Sequence, residues 1–244
     1  MKILENITIE SMSHDGRGIA RVAGKTTFVT GALTGERVNA RMLKKHRHFD
    51  EAIAEEILEQ SNERVTPRCA HYGVCGGCSL QHIDGDEQVA LKQAALLNQF
   101  ERSAKLVPKS VADPIIGPKW GYRHKARLGV RYVAKKEKVL VGFREHQGRF
   151  LADVTYCHVL HPSVGAQLPA IAAWIASLSI FHDIPQIEVA VGDNHTALII
   201  RHLKPFTDDD LSGIESFATT YGFHIYLQPK GPDSITKYWP KDDD

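Results

Sequence analysis

No run in this sequence approaches the ~20 consecutive apolar residues that a bilayer-crossing helix requires, and the opening MKILENITIE has no secretory signal pattern. Cysteine is scarce, with four residues in 244, and net charge is almost absent, 30 Lys and Arg against 29 Asp and Glu. There is no internal repeat, and low complexity is confined to the acidic end, Asp242 to Asp244. These absences exclude a membrane span, a solenoid, a fibre and a disordered chain. What remains, at 43% hydrophobic and 24% charged residues, is an ordinary globular composition, read as soluble and cytosolic.

The near-zero net charge is a sum of unlike segments. From Lys119 to Arg149 there are ten basic residues against Glu137 and Glu145, whereas from Asp183 to Asp244 five basic residues face eleven acidic ones. Polarity of this kind within one chain suits a partner that meets a single face, and a polyanion is the simplest such partner. A solvated strand surface gives the same count, so charge alone decides nothing.

Residues 1–60 read as short strands between glycine turns: Ile3 to Met12, Gly18 to Val22, Thr26 to Thr30, Glu36 to Lys45 and Asp50 to Ile57. That pattern predicts a small closed OB-like barrel. Its edge carries Arg37, Arg41, Lys44, Lys45 and Arg47, with His46 and His48, and no acid until Asp50. Barrels with a basic edge serve as single-strand nucleic-acid platforms, and equally as plain scaffolds. Beyond them, residues 61–240 predict a mixed α/β domain, giving an α+β class overall. A helix is expected from Asp86 to Lys105, its stripe of Val89, Ala94, Ala95, Leu96, Leu97 and Phe100 assigned to core. Strands are expected at Lys125 to Val133, Val139 to Arg144, Phe150 to Tyr156, Gln186 to Val191, Ala197 to His202 and His224 to Leu227, with helices at Val164 to Leu178 and Asp208 to Tyr221. Alternation along the first of these strands sends Lys125, Arg127 and Arg131 to one face.

Three of the four cysteines lie in CAHYGVCGGCSLQH, as Cys69, Cys75 and Cys78; the fourth, Cys157, is distant. In a cytosolic chain such a group favours metal over disulfides. Gly76 and Gly77 let the loop bend so that Cys75 and Cys78 face one centre. Zinc would take four thiolates, or three with an imidazole from His71, His82, His158 or His161. An iron–sulfur cluster would take four thiolates, three from one loop and one from afar. The single knuckle and five-residue gap favour iron–sulfur, and zinc stays open. With Cys157 as the closing ligand, the metal would staple the basic hairpin to the cysteine loop; a redox-sensing role is the rival reading.

At these residues the chain resembles the bacterial 23S rRNA (uracil-5-)-methyltransferase family, the RlmD (RumA) group. DGRGIARVAGKTTFVTGALTGERV is similar to the TRAM-type RNA-binding barrel of those enzymes. CAHYGVCGGCSLQH with Cys157 resembles their four-cysteine [4Fe-4S] site. WGYRHKARL, Trp120 to Leu128, is similar to the central-domain segment that touches RNA, with Arg127 in the contacting position. The resemblance implies binding to a single-stranded loop region of 23S rRNA by a cytoplasmic monomer, with no DNA or membrane partner. Candidate RNA contacts are Arg123, Lys125, Arg127, Arg131, Tyr122, Arg41, Lys44 and Lys45, with Lys135 and Lys136 as further cations and Tyr132 and Phe143 as further stacking rings. Family members also carry a Rossmann-like domain that binds S-adenosylmethionine and supplies a nucleophilic cysteine. Here no Gly-x-Gly cofactor turn follows, and all four cysteines match the cluster. The expectation is therefore RNA recognition and a cluster, with no catalytic residues and no S-adenosylmethionine site in this chain.

Overall fold

The computed structural model describes residues 2–146 and 148–241, so the acidic triplet Asp242 to Asp244 lies outside the described residues. The chain forms two compact units, Met1–Arg68 with Cys78–Ile116, and Cys69–Gly77 with Gly117–Asp244. Among the described residues no helix is long and apolar enough to cross a membrane.

In the first unit six strands, β1 (Ile3–Thr8), β2 (Ser11–Met12), β3 (Gly18–Val22), β4 (Lys25–Thr30), β5 (Arg37–Lys45) and β6 (Phe49–Glu59), lie in the order β1-β5-β6-β4-β3-β2. The single strand expected over Ile3 to Met12 is bent. The Ile9 amide donates to the Glu36 carbonyl at 2.9 Å, and the Glu10 amide to the Ile19 carbonyl at 2.8 Å. One continuous stretch thus pairs with β5 before the bend and with β3 after it, supplying both ends of the sheet and closing it into a barrel. Inward residues from around the ring, Leu4, Ile9, Ala20, Val29, Ala32, Val38, Ala40 and Ala52, form one core. Half of them are alanine, which suits the narrow interior of a small barrel. The β3–β4 turn places Ala23 and Gly24 at φ 48° and 80°, the left-handed pair that a tight hairpin of this twist needs.

A buried ion pair clips the barrel's exit. Glu36, with no exposed side-chain surface, accepts from Arg64 Nε at 2.6 Å and Nη2 at 2.7 Å, and from the amides of Leu33 at 2.8 Å and Ser61 at 3.2 Å. Burial alone would raise its carboxyl, but these donors and the Arg64 charge outweigh that and hold it below the ordinary carboxylate range. His82 is buried in the same unit. Desolvation, then the Arg64 charge, push its imidazole down to about 4 against the pull of Glu36.

The expected helix forms as α1 (Gly85–Gln99), capped by the Asp84 side chain on the Asp86 amide at 2.8 Å, and runs into a π-helical turn at Phe100–Ala104. Its stripe is not core, which corrects the expectation. No residue of α1 is buried, and Leu96 and Phe100 are 52% and 42% exposed. Helical spacing defines an apolar face without supplying a surface to cover it. Beyond the helix, Leu106, Val107, Val111, Ile115 and Ile116 are exposed as well.

The second unit is one sheet with helices packed on it. Its elements are β7 (Lys125–Val133), β8 (Lys138–Gly142), α2 (Pro162–Gly165), α3 (Leu168–Ser177), β9 (Gln186–Val191), β10 (Thr196–Arg201), α4 (Asp208–Tyr221), β11 (Phe223–Gln228) and β12 (Thr236–Trp239). The strand order is β12-β11-β10-β9-β7-β8, with only β10 and β11 parallel. The helix expected over Val164 to Leu178 is split. Pro169, which cannot donate a helical hydrogen bond, sits in the first turn of α3 and marks a new start. The two long helices meet where Trp174 stacks on Phe217, centroids 4.2 Å apart and planes 2° from parallel. They share one core with Leu128, Ile187, Leu198, Ile200 and Ile225 from the sheet. Thr207 and Asp210 form a reciprocal capping box at the start of α4, and Gly222, at φ 69°, ends it.

The strand expected over Phe150 to Tyr156 is not formed. Only Leu151 bridges, to Arg144, and a tight turn from the Val154 amide to the Ala152 carbonyl at 3.0 Å then ends the pairing.

Replacing Arg64 by alanine strands the Glu36 charge and should cost about 3–5 kcal/mol in urea denaturation. For the unaltered chain, His82 is kept neutral and Glu36 charged, so both bind fewer protons folded than unfolded. Stability is full above pH 6.5, falls as His82 is crossed towards about 4, and falls further below 4.5 through Glu36. A midpoint that rises on acidification contradicts this. Serine at Leu96 and Phe100 should leave the melting temperature unchanged, because neither side chain is buried, and should reduce light scattering at high concentration.

Candidate nucleic-acid interface and cysteine loop

Along β7 the burial alternates as the sequence predicts: Ala126, Leu128 and Val130 go to the core, and Lys125, Arg127 and Arg131 are exposed. Arg127 is not a loose cation. Its Nε donates to Glu188 Oε1 at 3.0 Å, its Nη2 lies 3.0 Å from the same oxygen in an ion pair, and Glu188 is its direct cross-strand partner on β9. The Gln186 side-chain amide donates to the same oxygen at 2.9 Å. Between Arg127 and Arg131, a Cβ added to Gly129 would meet Leu151 Cδ2 at 2.7 Å, so Leu151 covers that glycine.

Other candidates prove engaged elsewhere. Arg123 lies with its guanidinium 5.4 Å from the centroid of Phe143, and Phe143 packs against the core, so this ring is not an open stacking surface. Tyr122 is 53% exposed, whereas Tyr132 is half-buried against Phe181 and His182. Lys136 and Lys138 both bind Asp153, at 2.7 and 2.8 Å. Lys135 is exposed.

On the barrel, Arg41 is ion-paired with Glu55, and Lys44 and Lys45 are exposed on β5. Next to them is a group the sequence reading did not single out. Phe28 and Phe49 meet edge to face at 5.5 Å, His46 stacks on Phe49 at 4.3 Å, and Arg17 lies 4.5 Å from the Phe28 centroid. Alternation could have found Phe28, which sits between the buried Thr27 and Val29 on β4.

Cys69, Cys75 and Cys157 belong to the second unit and Cys78 to the first, and all four are half-buried. The loop Cys69–Gly77 is tied down by backbone. The Gly76 amide donates to the Arg144 carbonyl at 2.8 Å and the His146 amide to the Val74 carbonyl at 2.7 Å, which adds the loop as a short strand beside the chain leaving β8. A Cβ on Gly76 would lie 3.0 Å from the Arg144 carbonyl oxygen, so the glycine permits this approach. His71 Nε2 accepts from the Thr155 amide at 3.2 Å, joining the segments that carry Cys69 and Cys157. The Gly77 amide donates to Cys75 Sγ at 3.4 Å. Cys75 and Cys157 pack on the same core. Residues 121–123 are zippered to the chain just after Cys157, through the Gly121 amide to His158 and the Arg123 amide to Val159, both at 2.9 Å.

Of the four imidazoles considered in place of a sulfur, His71 accepts from the Thr155 amide, His161 caps α2 through Ser163, His158 packs against Trp120 and Tyr156, and His82 is buried in the first unit. Among the described residues no group of three or more His, Cys, Asp or Glu side chains is gathered as a metal site. The donor chemistry nevertheless suits a thiolate-held centre: a loop rich in cysteine, an amide donated to sulfur, and glycines admitting close backbone.

The TRAM domain family model matches residues 5–54, the barrel. The 23S rRNA (uracil(1939)-C(5))-methyltransferase RlmD of Hahella chejuensis is 49% identical over 240 residues, covering 98% of this chain and 54% of that protein. Its counterparts in Nitrosococcus oceani and Francisella tularensis subsp. novicida are each 48% identical over 237 residues, across 53% of their length. The chain belongs to the RlmD family. It spans about half the length of the curated relatives it matches, and the match is to their N-terminal portion. The fold resembles that of the Pyrococcus abyssi tRNA (uracil-54, C5)-methyltransferase solved with S-adenosyl-L-homocysteine. The TM-score is 0.62 at 18% identity, over 96% of this chain and 53% of that one.

Within this RlmD-family frame, Cys157 is positioned from behind by glycine. Its amide donates to the Gly165 carbonyl at 3.0 Å, and a Cβ on Gly165 would run into the Cys157 carbonyl oxygen. Gly165→Ala must therefore push backbone against backbone. It should lower the melting temperature by several degrees, corresponding to about 1–3 kcal/mol, while Gly213→Ala, with open space around its Cβ, should not lower it.

Proposed function

We propose that this chain is the RNA-holding part of a 23S rRNA (uracil-C5)-methyltransferase and that it grips a single-stranded, uridine-containing loop. The observation that carries the reading is the exposed row Lys125, Arg127 and Arg131 on β7, in a chain 49% identical to an RlmD protein. Phosphates would meet Lys125, Arg127 and Arg131, with Lys44 and Lys45 on the barrel edge. Arg123 would contribute charge from above Phe143, and Arg41 would have to share itself with Glu55. Tyr122 would stack on a base, as would the Phe28, Phe49 and His46 group.

The reading also assigns Cys69, Cys75, Cys78 and Cys157 to a [4Fe-4S] cluster. When bound, the cluster would supply structural cross-linking, with iron compensating the charge of the thiolates. In support are the backbone pairing that docks the Cys69–Gly77 loop beside Arg144, the His71 to Thr155 bond, and the amide donated to Cys75 sulfur. This chain's own residues would bind and orient RNA. Methyl transfer from S-adenosylmethionine is assigned to the whole protein of the family in the cytoplasm, and no residue of this chain is proposed to be catalytic.

The test is fluorescence anisotropy with a labelled uridine-containing RNA hairpin at several salt concentrations, on chain purified without oxygen. Arg127→Ala should weaken binding about tenfold and lower the salt slope by about one. Unchanged affinity would overturn the assignment of the β7 face. The unaltered sample should be brown, with iron and sulfide, and Cys157→Ala should bleach it. A colourless zinc protein would overturn the cluster.

A further inference from the structure

Resting on the RNA-binding reading of β7, we propose that Glu188 is a positioning residue: it fixes Arg127 as the phosphate contact that sets the RNA's register on this face.

The argument begins with the shape of the guanidinium. Arg127 meets one oxygen, Glu188 Oε1, through Nε and Nη2, both at 3.0 Å. That engages the side edge of the fork. The end edge, made of Nη1 and the outer hydrogen of Nη2, points away from the carboxylate by the planarity of the group, and it is the edge that binds a phosphate with two parallel hydrogen bonds. The Arg127 side chain is 69% exposed and that of Glu188 22%, so the carboxylate sits low against the sheet and the guanidinium stands above it.

Glu188 is itself held. Gln186, two residues along the same strand, donates its side-chain amide to Glu188 Oε1 at 2.9 Å. Direct cross-strand pairing of Arg127 with Glu188 fixes the backbone beneath the pair. The arginine therefore has its rotamer chosen before RNA arrives, and binding costs less conformational entropy than it would for a loose side chain. Its neighbours on the row differ. Lys125 and Arg131 are exposed, and among the described contacts neither side chain has a hydrogen bond or ion pair. They add charge, which draws a polyanion closer without fixing its register.

A carboxylate beside a phosphate site makes the experiment decisive, because the two possible roles of Glu188 differ in sign. As mere negative charge, its removal strengthens RNA binding. As the holder of Arg127, its removal weakens it. Affinity of the full chain for the labelled uridine-containing RNA hairpin is measured for the unaltered protein, Glu188→Ala, Glu188→Gln, Arg127→Ala and the double variant Arg127→Ala with Glu188→Ala. Glu188→Ala should weaken binding about threefold to tenfold, and should have no effect or a slight strengthening once Arg127 is gone. Glu188→Gln, which keeps an accepting oxygen in place, should recover most of the loss. Tighter or unchanged binding by Glu188→Ala overturns the proposal. So does an equal loss in both backgrounds, which would mean damage to the strand in place of lost positioning. If Arg127→Ala binds as well as the unaltered chain, the β7 reading fails first and takes this proposal with it. A loss for Arg127→Ala with none for Glu188→Ala sinks only the positioning role.

Discussion

The two-residue repeat of β7, pinned on one side by burial, is the constraint on which the candidate interface depends. Leu128 is fully buried in the core that the sheet shares with α3 and α4, and Ala126 and Val130 flank it on the same face. With that face committed to the core, Lys125, Arg127 and Arg131 have no choice of direction. A slip of one residue would bury three cations and expose the three apolar residues, so the hydrophobic core acts here as the device that aims charge. The stacking of Trp174 on Phe217, which joins the two long helices of that core, is thus an indirect support for the cationic row.

Two arginine–glutamate pairs in this chain show how burial changes what the same chemistry does. Arg64 and Glu36 are shielded, and four donor groups converge on the carboxylate, so the pair acts as a clip that fails if either partner is removed. Arg127 and Glu188 sit at the surface, where an ion pair contributes little to stability. Its value lies in the geometry it imposes on a side chain that otherwise samples many rotamers. The first pair spends its charges on holding the fold together, and the second leaves one guanidinium edge available.

Where local chemistry decides structure, the sequence was readable. The helix expected over Asp208 to Tyr221 forms with those bounds, and the structure shows why they are sharp: Thr207 and Asp210 cap one end and Gly222 the other. The β7 alternation was legible because Ala126, Leu128 and Val130 alternate with Lys125, Arg127, Gly129 and Arg131. Legibility failed where the deciding partner lies elsewhere in the chain. The stripe on α1 carries helical spacing yet no covering surface. The excess of cations between Lys119 and Arg149 looked almost unopposed, but Asp153 and Glu188 lie outside that window and take up Lys136, Lys138 and Arg127. The Phe28, Phe49 and His46 group was missed because Phe28 lies on β4 whereas Phe49 starts β6 with His46 in the turn before it, so the rings meet only once those two strands pair.

The cysteine loop follows a different logic, in which backbone does the positioning before side chains take part. Its pairing with Arg144 and His146, and the His71 bond to Thr155, confine the Cys69–Gly77 loop against the hairpin that leads to Cys157. Loop closure is then accomplished by hydrogen bonds of the polypeptide, and a bound centre would have less ordering entropy to offset than on a slack loop. The same pairing explains the glycine at position 76, where a side chain would crowd the Arg144 carbonyl. Residues 121–123 are zippered to the chain following Cys157, one step before β7 begins. Displacing Cys157 must therefore disturb the entry to the cationic strand, and this is the physical route by which a structural centre in the loop would stiffen an RNA-facing surface without touching RNA.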